Sequence, residues 1–85
     1  MMQITFALCI RDSDSEEMLH IHIEKVCGDG YGWMHHYRPD GKVDVRLSVY
    51  DDQLCDVFCD LCVFLQQGVI VHMTMLPVHS PGGGK

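Results

Sequence analysis

Basic residues are scarce in this chain: six Lys and Arg stand against twelve Asp and Glu, for a formal charge of −6 over 85 residues. Binding a polyanion takes clustered Lys and Arg. The six here are scattered, so direct contact with nucleic acid is not expected, and an anionic membrane surface is disfavoured on the same ground. Long apolar runs are also missing. No stretch reaches the ~18 to 20 residues that span a bilayer. The apolar start, Met1 to Ile10, has neither the basic residues nor the small-residue cleavage site of a leader. Five cysteines, three of them between positions 55 and 62, do not suit a paired secreted framework. Reduced thiols in the cytoplasm are the expectation.

Catalytic signatures are absent as well. There is no G-x-x-x-x-G-K-S/T loop and no G-x-S-x-G elbow. Gly28-x-Gly30-x-Gly32 is not expected to open a helix, as a dinucleotide fingerprint must. A chain this short has little room for the ~300 Å³ or more of a usual enzyme pocket. No enzymatic activity is expected. The spacing Cys55-x-x-x-Cys59-x-x-Cys62 matches a cluster-binding pattern, but it lies inside an expected helix, where free cysteine packs as a small apolar residue. Asp12-Ser13-Asp14-Ser15-Glu16 begins like a calcium loop, yet Ile23 stands where the twelfth-position Glu belongs.

What is present is enough for one core. The chain is 47% hydrophobic with only three prolines, too apolar for a disordered segment. Residues 3–11 alternate, with Ile4, Phe6, Leu8 and Ile10 on one side, and this predicts a strand. Asp12 to Glu17 is polar and is expected to connect it to a second strand over 18–27, where Leu19, Ile21 and Ile23 alternate with His20, His22 and Glu24. Gly28-Asp29-Gly30 predicts a turn, residues 31–38 an aromatic strand, and Pro39-Asp40-Gly41 a three-residue hairpin loop. Val43, Val45, Leu47 and Val49 alternate through 42–50. From Asp51 or Asp52, either a good N-cap, the period turns helical, with Leu54, Phe58, Leu61 and Leu65 as the buried stripe. Gly68 ends the helix, and 69–76 is a last strand.

The expectation is therefore an α+β fold, an antiparallel sheet of four to five strands in the order β-β-β-β-α-β. One helix crosses one face, and the last strand returns antiparallel beside the first. A single domain spans 1–77, followed by a disordered tail, 78–85.

Two candidate sites follow. Tyr31, Trp33, His35 and Tyr37 are assigned to the core side of the sheet. His20 and His22, at period two, then share the open face with Cys9, His36 and Asp44, close enough to bind zinc or another transition metal. Separately, the helix is apolar over more than ~200°, whereas one sheet face needs a stripe of only about 100° or somewhat more. Val57, Val63 and Phe64, with Asp52, Asp56 and Asp60 beside them, are therefore the expected contact surface for another protein or a second copy of the chain. A non-enzymatic module that occupies the surface of a larger protein is the leading functional expectation, that protein being one with a basic, nucleic-acid-binding surface. Resemblance in size and acidity gives its sharpest form, a phage- or mobile-element-encoded inhibitor of a host nucleic-acid-handling complex. A zinc module is the alternative.

Overall fold

The computed structural model describes residues 2–76. Its elements run β1 (Gln3–Ile10), α1 (Ser13–Cys27), β2 (Tyr31–Tyr37), β3 (Val43–Tyr50), α2 (Leu54–Gln66) and β4 (Ile70–Met75), with a turn of 3-10 helix, Asp51–Gln53, leading into α2. The four strands form one antiparallel sheet in the order β2-β3-β1-β4. The α+β class and the return of the last strand beside the first agree with the sequence. The succession β-α-β-β-α-β with that strand order is the split β-α-β arrangement of ferredoxin-like folds. Both helices cover one face. None among the described residues is long and apolar enough to cross a membrane. The expected tail, 78–85, lies outside the described residues.

The second element corrects the sequence reading: residues 13–27 are a helix. Asp12 is its N-cap, extended at φ −158°, and its Oδ1 accepts the Ser15 N–H at 2.8 Å. That bond, with the Ser15 hydroxyl and the Arg11 charge, holds the Asp12 carboxyl below its ordinary value. Asp14 and Glu16 sit in the first turn and Lys25 in the last, each matched to the helix dipole. Gly28, at φ 65°, closes the helix by donating to the Glu24 carbonyl at 2.8 Å. Leu19, Ile23 and Cys27 lie one turn apart and are buried, while Ile21 faces solvent.

The strands alternate as expected. Phe6, Leu8 and Ile10 of β1 and Val43, Val45, Leu47 and Val49 of β3 are buried under the helices. At the β2–β3 hairpin the Arg38 N–H donates to the Lys42 carbonyl at 2.9 Å. Asp40 Oδ1 accepts the Lys42 N–H, and Gly41 takes φ 94°. This three-residue loop sets His36 opposite Asp44, the register that Pro39-Asp40-Gly41 predicts.

In α2 the buried stripe is Val57 and Leu61, with Leu54 and Phe64 packed partly against the core. Phe58 and Leu65 are not in it; they are 41% and 37% exposed. The stripe is rotated toward α1 because Phe64 meets the ring of His22 edge-on at 5.3 Å. Gln53, not Asp51 or Asp52, holds the N-cap position, without a side-chain cap. The Val69 N–H bonds to the Phe64 carbonyl around Gly68, at φ 82°, the Schellman closure that a C′ glycine permits.

Candidate interaction surface

Three groupings of side chains stand out, and they differ in how far the fold itself uses them. The first lies between α1 and β2. The Glu16 carboxylate is only 4% exposed. It accepts the Trp33 indole N–H at 2.8 Å and the Tyr37 hydroxyl at 3.4 Å, and His35 Nδ1 lies 3.4 Å from it. His20 stacks on Trp33, with centroids 4.5 Å apart and planes 2° from parallel, and its Nε2 bonds the Tyr31 hydroxyl at 2.9 Å. The neighbouring Glu16 charge raises the Tyr37 hydroxyl pKa, and desolvation raises that of Tyr31. The aromatic residues of β2 thus lie on the helix side, but they are not core: Tyr31 and Trp33 pack only partly against it and Tyr37 is 54% exposed, and each bonds a polar group of α1. This cluster seals the α1–β2 seam.

The second grouping is on the open face. Cys9 pairs with Asp44, Asp44 with His36, and Cys9 on its other side with His72. Three of the five expected metal ligands, Cys9, His36 and Asp44, therefore do fall in one row. His20 and His22 do not join them. Both belong to α1, across the sheet, because the residues expected to form a strand are helical. Within the row, the Arg38 guanidinium donates to Cys9 Sγ at 3.4 Å and lies 3.6 Å from Asp44, putting a cation where an ion would sit. Among the described residues no three His, Cys, Asp or Glu side chains are grouped as metal ligands.

The third grouping is the outer flank of α2 beside β4. Phe58 lies on Phe6 with centroids 6.2 Å apart, and its outer edge stays open. Leu54, Cys55, Phe58 and Cys59 from α2, Met75 from β4 and Asp51 at the rim line an apolar groove of about 400 Å³. Cys55 and Cys59 are free and exposed. From Asp51 to Leu76 the chain carries four aspartates and no Lys or Arg. Asp52 and Asp56 are exposed as a contact surface requires, whereas Asp60 is held by His22 Nε2 at 2.9 Å.

The apolar members of the expected surface need correction. Val57 is fully buried and Phe64 faces α1; only Val63 remains exposed. Phe58 and Met75, in the groove wall, take their place, and Leu65 is exposed two turns further along α2. The surplus apolar arc on α2 signalled that such a flank exists, but not which side of the helix it occupies. No family model, curated protein or solved structure matches the chain.

Proposed function

We propose that this chain is a small non-enzymatic binding module that occupies the surface of a larger protein through the α2–β4 flank. The observation that carries the reading is the groove of about 400 Å³ between α2 and β4, with Phe58 exposed in its wall, Asp51 at its rim, and Asp52 and Asp56 exposed on the same stretch of chain. An apolar concavity suits a seated side chain, and a rim of one charge sign selects a partner of the opposite sign. A basic surface, such as one that binds nucleic acid, is the matching kind. Binding there blocks that surface, which is inhibition by occupation. The five free thiols fit a reducing compartment such as the cytoplasm.

The test is affinity capture from a native lysate of the source cells with two baits, the full chain and its Cys59→Asp variant. Cys59 lines the groove and is exposed, so the variant is expected to keep the fold. A defined protein held by the first bait and lost from the second supports the reading. The same proteins in both captures would overturn it.

A further inference from the structure

We infer that β4 is a docking edge: an extended, cationic segment of a partner protein adds to it as a fifth strand and seats an apolar side chain between Phe58 and Met75. This rests on the binding-module reading and names the mode and the chemistry of the partner.

The backbone supplies the first argument. β4 lies at one edge of the sheet, paired only with β1 among the described strands. The Leu76 N–H donates to the Thr5 carbonyl at 2.8 Å, which fixes the phase of the ladder. Thr74 and His72, opposite Ala7 and Cys9, bond to β1. Met73 and Met75, the alternate residues, turn their N–H and C=O outward. Edge strands are usually blunted by Lys, Pro or inward charge. Ile70–Met75 has none of these; the blunting feature it does carry is the bulge at Val71, which leaves 72–75 regular. Outward main-chain groups in this spacing are satisfied by an extended chain, with specificity from its alternate side chains.

The second argument is position. The side chains of Met73 and Met75 lie on the helix side of the sheet, opposite Leu8 and Phe6. A strand laid beside them turns every other side chain toward the groove that Met75, Leu54 and Phe58 line.

Charge chooses the occupant. Asp51, Asp52 and Asp56 are exposed at the start of α2, and no Lys or Arg lies between Asp51 and Leu76 to offset them. A second copy of the chain brings the same aspartates to the contact, where like charges oppose association. A segment with Lys or Arg alternating with apolar residues meets both the rim and the groove.

The experiment uses the full chain and two short blocked peptides, one alternating lysine with valine, the other glutamate with valine. Amide hydrogen exchange is followed residue by residue. At about ten times its Kd the lysine peptide is expected to slow exchange at Met73 and Met75 about tenfold. Added salt weakens that binding and the glutamate peptide gives no protection. Met73→Pro removes an outward N–H without touching the β1 ladder and is expected to weaken the lysine peptide about tenfold or more. Should that variant fail to fold, Met75→Lys, at an exposed position, is expected to weaken the lysine peptide while retaining the native far-UV spectrum.

Three results overturn the inference. Peptide binding that shifts Phe58 and Cys59 but leaves the Met73 and Met75 amides unprotected makes the groove a site without strand addition, and the binding-module reading stands. Edge amides already slow in the free chain mean that the edge is taken, by a second copy if protection rises with concentration and by the chain itself if it does not. No binding by either peptide, with a specific capture in the two-bait experiment, removes the strand mode alone; failure of both experiments removes the binding-module reading too.

Discussion

Trp33 donates its indole N–H to the Glu16 carboxylate at 2.8 Å, joining edge strand β2 to helix α1 through the chain's single tryptophan. A carboxylate this far from solvent is tolerated because donors surround it, and removing it leaves the indole N–H without an acceptor. Glu16→Ala is expected to cost about 1–3 kcal/mol. Glu16→Gln keeps an acceptor and should cost less. Denaturant unfolding followed by Trp33 fluorescence measures both. Equal losses for the two variants would show that the carboxylate charge, and not the acceptor, holds the seam.

The N-cap of α1 predicts a pH dependence with a definite sign. The Ser15 N–H, the Ser15 hydroxyl and the Arg11 charge lower the Asp12 carboxyl pKa in the folded state. Its contribution is therefore fully present above the unfolded carboxyl pKa near ~3.9, and is lost as pH falls through the lower folded value. Asp12→Ala should melt below the native chain at neutral pH, and the gap should close in acid. Asp12→Asn caps without charge and should keep the helix while removing this part of the acid dependence. Thermal melts from neutral pH to below pH ~3 check both.

Much of the sheet was legible because its strands bury one face. Val43 to Val49 alternate without exception, and Pro39-Asp40-Gly41 fixed the loop length, so His36 fell opposite Asp44 as read. Residues 18–27 carry a strand pattern although they are helical, because Leu19, Ile21 and Ile23 also alternate, and Ile and His are poor helix formers. The helical signals were there: Asp12 bonding Ser15, acids in the first turn, Lys25 before Gly28, and Leu19, Ile23 and Cys27 one turn apart. The polar stretch ahead of Leu19 resembled a connector, which hid the first turn of the helix. On α2 the difficulty was the reverse. A helix apolar over most of its circumference does not specify its own buried side, and the Phe64–His22 contact that orients it involves a helix the sequence did not reveal.

That orientation has a measurable consequence. Leu61 is fully buried, and Leu61→Ala should cost about 2–5 kcal/mol. Phe58, 41% exposed though stacked on Phe6, should lose less on truncation than the about 3–5 kcal/mol of a buried phenylalanine. Leu65→Asp should lie within roughly 1 kcal/mol of the native chain, as surface changes do. Equilibrium unfolding of the three variants ranks them. A Phe58 loss larger than that of Leu61 would place the buried stripe on the flank assigned to binding.

The five thiols report on the same surface. Cys55 and Cys59 are exposed in the groove wall, Cys62 and Cys9 are half-buried, and Cys27 is 8% exposed. Burial raises the Cys27 pKa, so less of it is thiolate, the reactive form. It should react only when the chain opens locally. Pulsed alkylation with mass spectrometry should therefore modify Cys55 and Cys59 first and Cys27 last. Occupation of the groove should then slow Cys55 and Cys59 alone, because Cys9 lies on the opposite face of the sheet beside Asp44 and His72. A partner that slows Cys9 and leaves Cys55 and Cys59 reactive would dock on the open face instead, and α2 would not be its site.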